Sequence, residues 1–182
     1  MPRYTIPGLD EASAEQVATT LQDRLNSTID LQLTLKHVHW NVVGPNFVGV
    51  HEMLDPWVDE ARLMSDAIAE RIATLGFEPV GTPGYVVGHR SWTDYGLNKA
   101  TAVEHMAALD VVYEGVISDY RKAIEQFETL DPVSQDMLIA QAEKLEMQQW
   151  FLRAHLDDGS GSLRHAGATS TAEAAKRAAD GG

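Results

Sequence analysis

The stretch HWNVVGPNFVGVHEMLD, residues 39–55, holds two histidines twelve residues apart and a carboxylate, Asp55, one helical turn beyond the second. Farther on, SDAIAERIATLG carries Asp66 and Glu70, four residues apart. Imidazole combined with several carboxylates suits iron or manganese better than copper or a thiolate metal, because hard oxygens stabilise ferric iron. Few nitrogen ligands also leave coordination positions open for an oxidant. Zinc is the rival on ligand chemistry alone. An intrasubunit di-iron bundle would show Glu-x-x-His pairs on two helices, and the sequence contains none.

The spacing of these residues limits how they can meet. At about 100° per residue from His51, Asp55 falls at about 40°, Asp66 at about 60° and Glu70 at about 100°. All four therefore share one stripe of a helix. Yet Asp66 is fifteen residues from His51, roughly 22 Å along the axis. One helix cannot bring both ends to a single ion. Pairing the helix antiparallel with its own copy can, because His51 of one chain then faces Asp66 and Glu70 of the other, with a midpoint near residues 58–61. Such a contact is self-complementary and creates two identical sites. His39 joins from the end of the preceding helix through the GPNFVG turn. Plainer readings stand beside this one: a lone histidine is often packed, and Asp55 before Pro56 suits a cap. Asp66 and Glu70 suit surface pairs with Arg62 and Arg71. His37 lies about 200° from His39 and is read as no ligand.

Four long helices position these side chains. The first is predicted from about Ser13 to Val43, with Ser13 and Gln16 as a capping box. Leu31, Leu35, Val38 and Val42 form its apolar stripe, and Gly44-Pro45 ends it. The second runs from about Phe47 to Leu75 and is closed by Gly76, with Pro56 marking a kink or a fresh start capped by Asp55. Thr82-Pro83 opens a short helix near 83–89 in a long connection. The third spans about Lys99 to Glu128, and Asp131-Pro132 caps a fourth that reaches about Leu156. Strand signals are nearly absent. The expected fold class is all-α: an antiparallel four-helix bundle over residues 13–158, with a short helix in the crossover between helices two and three. Residues 1–12 and 159–182 read as an N-terminal tail and a flexible C-terminal tail, the latter disordered or only partly helical.

Composition narrows the function classes. A 182-residue chain with 44% hydrophobic and 23% charged residues is most simply one soluble domain. It has no run of 18 apolar residues, so no membrane span is expected. The N-terminus lacks an apolar core typical of secretion signals. The absence of cysteine excludes disulfides, thiolate zinc and cysteine nucleophiles, and it suits a reducing cytoplasm. A formal net charge of −13 repels phosphate backbones and concentrates cations.

Taken jointly, the two stretches resemble the signatures of the Dps proteins (DNA-binding proteins from starved cells), mini-ferritins of the ferritin superfamily. The likeness rests on the His-aromatic pair, the glycine five residues after His39, His51 with Asp55 at +4, and Asp, Glu-Arg and Gly in DAIAERIATLG. The GTPG stretch and EMQQWFLRAHL also look like family segments. The resemblance implies a ferritin-like fold and a homo-oligomeric shell of twelve subunits. It implies an iron ferroxidase site at each two-fold interface, with His39, His51 and Asp55 from one chain and Asp66 and Glu70 from its mate. Such proteins oxidise Fe(II), preferably with hydrogen peroxide, and store the ferric mineral, which protects DNA and cell from oxidative stress. Trp40 matches a family tryptophan near that site; packing explains it equally well. Iron would be admitted through acidic pores, for which Glu128, Asp131 and Asp136 are the candidates.

DNA is the partner for which the tails give least support. The N-terminal tail offers Arg3 alone, and the C-terminal tail offers Arg164, Lys176 and Arg177 against Glu173, Asp180 and the terminal carboxylate. An alternative function, nucleoid compaction through these tails, would associate the protein with the nucleoid. A third reading is a small helical bundle with a structural zinc.

Overall fold

The computed structural model describes residues 6–157 and 159–180. Residues 1–5 of the expected N-terminal tail, Arg3 among them, lie outside the described residues. Helix α1 spans Glu11–Asn41. It starts two residues earlier than the sequence suggests, because Asp10 caps it: its carboxylate accepts from the Ser13 backbone N–H (3.0 Å) and hydroxyl (2.7 Å). Ser13 is thus a donor to the cap and not the cap itself. Helix α2, Phe47–Thr74, runs unbroken through Pro56. Pro56 removes one backbone donor, but both it and Glu52, whose carbonyl loses that partner, lie on the exposed face. No fresh start is needed there.

The turn between α1 and α2 is tight. Gly44 (φ 80°) and Asn46 (φ 63°) both adopt left-handed backbone, which suits glycine and costs least for asparagine among other residues. In the same turn Val42–Val43 form strand β1, paired in parallel with β2, Ala100–Thr101. The sequence reading misses this pair because two residues carry no periodicity. Between them, α3 covers Pro83–His89 with proline in its first turn, as expected. Helix α4, Ala102–Leu130, opens with a capping box in which Thr101 donates its N–H (2.8 Å) and hydroxyl to Glu104. Helix α5, Pro132–Leu156, is capped by Asp131.

The four long helices bury one core around Leu21, Leu35, Leu54, Ile68, Leu109 and Phe127. Two of its tyrosines are tied helix to helix: Tyr113 donates to Gln148 (2.8 Å) and Tyr120 to Gln141 (3.0 Å). The bundle interior is therefore filled by rings, aliphatics and amides. The C-terminal segment corrects the expectation of a flexible tail. Residues Thr171–Asp180 form α6, whose Ala174, Ala175 and Ala178 are buried in contact with the α4 side of the bundle. Alanines carry little hydrophobic signal in a sequence, yet their small size lets two helix backbones approach closely. His165 secures the connection: its Nε2 lies 2.8 Å from the buried Asp110 carboxylate, which also accepts from Arg153 (2.8 Å). No helix among the described residues is long and apolar enough to cross a membrane.

Candidate metal centre

The α1–α2 turn places His39, in the last turn of α1, against His51, in the first turns of α2. Their rings stack with centroids 3.6 Å apart and planes 22° from parallel. Each Nδ1 points at the other residue's backbone carbonyl, at 2.8 Å for His39 and 2.9 Å for His51. A carbonyl oxygen only accepts, so both Nδ1 atoms carry the proton and both Nε2 atoms keep a lone pair. That reciprocal lock is the tautomer and orientation a metal-binding imidazole pair requires. Phe47 flanks His51 with ring centroids 5.1 Å apart.

Asp55 follows one turn later on the exposed side of α2. Its Oδ1 accepts from the Lys36 ammonium at 2.6 Å and lies 3.3 Å from His39 Nδ1. The Lys36 hydrogen bond, prevailing over the opposing effect of desolvation, holds the Asp55 carboxyl below the ordinary carboxylate range. Lys36 is the member of this cluster that sequence reasoning overlooks. Its signal is present: it precedes His39 by three residues, so both share one face of α1.

Asp66 and Glu70 are also exposed and also lie on the outward stripe. The opposite side of α2, with Val50, Leu54, Trp57, Ala61, Met64 and Ile68, is buried in the core. Because α2 is continuous, the two halves of the stripe stay roughly 22 Å apart. Among the described residues, no three His, Asp or Glu side chains gather closely enough to hold an ion within one protomer. The plainer pairing with Arg71 does not form, since Arg71 instead donates to Asp131 (2.6 Å) and Ser134 (2.9 Å). Asp66 borders a cleft of about 530 Å³ with Arg62, Leu63, Leu25 and Ile29. Apolar side chains lie exposed on the same hairpin, notably Trp40 (70%) and Leu63 (61%), with Leu33 and Val48. Outward-facing ligands among outward-facing apolar residues are what a helix presents when a further protein surface is to cover it.

The remaining sequence candidates divide. Glu128 and Asp136 are exposed at the α4–α5 turn. Asp131 is not: it is 5% exposed, binds Arg71, and caps α5 through Ser134. Burial raises its carboxyl, but the bonds from Ser134 and Arg71 prevail and hold it below the ordinary value. Its carboxylate is thus committed inside the fold and is corrected from pore lining to structural tie. Arg164 and Lys176 are exposed. Arg177 is exposed as well, and on the surface it pairs with Glu173 (2.7 Å) and the Ala166 carbonyl. His37 donates its Nε2–H to the Leu97 carbonyl (2.7 Å) and is thereby engaged apart from the stacked pair.

A bundle of this kind, with its site on an outer hairpin, defines a ferritin-like protein: residues 18–161 match the family model for the ferritin-like domain. The relatives narrow the class. A "DNA protection during starvation protein" from Mycolicibacterium smegmatis is 56% identical over 178 residues, covering 98% of this chain and 97% of its own. A solved Mycobacterium smegmatis Dps is 57% identical with a TM-score of 0.91, covering 93% of this chain and 97% of that one. DpsA14 from Streptomyces coelicolor is 51% identical with a TM-score of 0.87, covering 89% and 96%. The chain belongs to the Dps family of ferritin-like proteins.

Proposed function

We propose that this Dps protein is a ferroxidase that takes Fe(II) as substrate at sites shared between two copies of the chain, and stores the ferric product in a twelve-subunit shell. The observation that carries the reading is the outward, split ligand stripe: His39, His51 and Asp55 at one end of α2 and Asp66 and Glu70 at the other. An antiparallel two-fold pairing of α2 superposes one protomer's first end on its mate's second. The exposed Leu63, Val48 and Trp40 supply apolar area for that pairing, with Trp40 bordering the site. The two bare Nε2 atoms and three carboxylates then form a donor set rich in hard oxygen, suited to binding ferrous iron and favouring its ferric state.

The oxidant we propose is hydrogen peroxide, the one the family resemblance implies. Two ferrous ions supply two electrons to one peroxide molecule; the O–O bond breaks and both oxygens leave at the oxidation level of water. One-electron reduction, which releases hydroxyl radical, is thereby avoided, and that is how cell and DNA are protected. Glu128 and Asp136, the exposed acids at the α4–α5 turn, are the proposed lining of the pore that admits iron. Compaction of DNA by the tails draws less support, since the exposed Arg177 already pairs with Glu173 and the chain carries a formal net charge of −13. The test is ferrous oxidation with peroxide, followed by absorbance, for the wild type and His51→Ala. A drop of at least tenfold is expected on losing an imidazole ligand; equal rates would end the ferroxidase reading.

A further inference from the structure

A tyrosine gives up an electron readily only where its phenolic proton has somewhere to go. The oxidised phenol is a strong acid, so a base must take that proton in the same step. Tyr113 and Tyr120 lack such a base, because their hydroxyls donate to the amide oxygens of Gln148 and Gln141, which hold no proton near neutral pH. Tyr95 differs. Its hydroxyl lies 2.9 Å from Nδ1 of His105. The other acceptor in reach, the His105 carbonyl, is farther at 3.5 Å, so the phenol donates to the imidazole.

Two further observations set this pair apart. The first is the state of the imidazole. His105 is fully buried, and burial lowers its pKa, so the ring is neutral with one bare nitrogen. Nε2 makes no hydrogen bond, and the Asn41 and Asn98 carbonyls attract the ring's own proton. Nδ1 is thus the nitrogen left to receive the phenolic proton. The second is position. The β1–β2 rungs join the end of α1 to the start of α4, which sets His105, in the first turn of α4, close to the turn that carries His39 and His51. The Tyr95 ring is only half-buried and borders a cavity of about 450 Å³ between α1, the crossover and α4. A small oxidant reaches the ring there, while the hydroxyl stays on His105.

We propose that Tyr95 and His105 form a redox pair that quenches one-electron oxidants of the hydroxyl-radical class. Tyr95 passes one electron to the hydroxyl radical, which becomes hydroxide. In the same step the Tyr95 O–H bond breaks and its proton moves to Nδ1 of His105. The products are a neutral phenoxyl radical and an imidazolium. A further ferrous ion resets the pair by returning one electron, itself becoming ferric, as the proton goes back. Such radicals arise when a lone ferrous ion gives peroxide a single electron, so the source of the oxidant rests on the ferroxidase reading, whereas the chemistry of the pair does not.

The experiment supplies the oxidant without iron, so its outcome is independent of whether the chain oxidises ferrous ions. Azide radicals generated by pulse radiolysis, which take single electrons from aromatic side chains, are applied to the full-length, assembled, iron-free protein. Phenoxyl radical is followed by its transient absorbance. Most of the wild-type phenoxyl signal should be lost in Tyr95→Phe. It should be lost equally in His105→Gln, which keeps a hydrogen-bonding side chain but removes the base, and retained in Tyr113→Phe. Melting and size-exclusion chromatography establish that each variant is folded. A measurement on the wild type alone stands beside them: in heavy water the phenoxyl should form more slowly, because an O–H bond breaks in the step. The proposal is overturned by a Tyr95→Phe signal equal to wild type, by a His105→Gln protein that keeps its phenoxyl, or by a wild-type rate unchanged in heavy water.

Discussion

Replacing Asp131 with alanine separates a structural role from a role in admitting iron, and its cost can be worked out. The carboxylate caps α5 through Ser134, and losing an N-cap to alanine costs about 1 kcal/mol. It also partners the Arg71 guanidinium, whose side chain is 14% exposed against 7% for Asp131. Breaking a buried pair costs roughly 3–5 kcal/mol because one charge is left behind. Arg71 keeps its Nε bond to Ser134, so the lower end applies and, with the cap, the total is about 4 kcal/mol. For a chain of this size each kcal/mol moves the melting temperature by about 2–4 °C, giving a fall of roughly 8–16 °C at fixed protomer concentration. Asp131→Asn keeps the cap and should recover about 1 kcal/mol. Glu128→Gln and Asp136→Asn, both exposed, should stay within about 0.5 kcal/mol of wild type. The pH dependence has a definite sign. The folded Asp131 carboxyl lies below its ordinary value of 3.8, so its contribution is complete above that pH and is lost as pH falls through the folded value. Thermal melting followed by circular dichroism checks all of this; an Asp131→Ala protein melting within about 2 °C of wild type would refute the reasoning.

Two further outcomes are expected. Leu63→Glu places a charge on the exposed apolar face of α2, so the assembly should shift to smaller species in size-exclusion chromatography; an unchanged elution volume would mean this face is not an interface. Lys36→Met removes the ammonium that most depresses the Asp55 carboxyl; the acid limb of ferrous oxidation should then move to higher pH, and an unmoved pH–rate profile would show that Asp55 does not titrate in the active site.

The stripe of candidate ligands is legible in the sequence because it needs only helical periodicity and residue type. Its split into two ends is legible as well, from the rise per residue. Long-range partners are not. Asp131 announces a cap through the proline that follows it, but nothing local reveals Arg71, sixty residues upstream. Likewise the end of α5 near Leu156 is read from the sequence, while the docking of α6 depends on His165 reaching Asp110, fifty-five residues earlier. The β1–β2 pair is hidden for a simpler reason: its four residues make two rungs, and their effect is to clamp the crossover to the turn that carries His39 and His51. Even the reciprocal imidazole lock exceeds what spacing can say, since it depends on the left-handed backbone at Gly44 and Asn46.

Sharing of the metal site is tested most directly by complementation. One subunit would carry His51→Ala and the other Asp66→Asn with Glu70→Gln, each expected to be inactive in its own assembly. When the two are co-expressed, half of the two-fold pairs are mixed, and each mixed pair regains one intact site of its two. Ferrous oxidation with peroxide should return to about a quarter of the wild-type rate. Mixed assemblies that stay as inactive as either parent would contradict a site built from two copies of the chain.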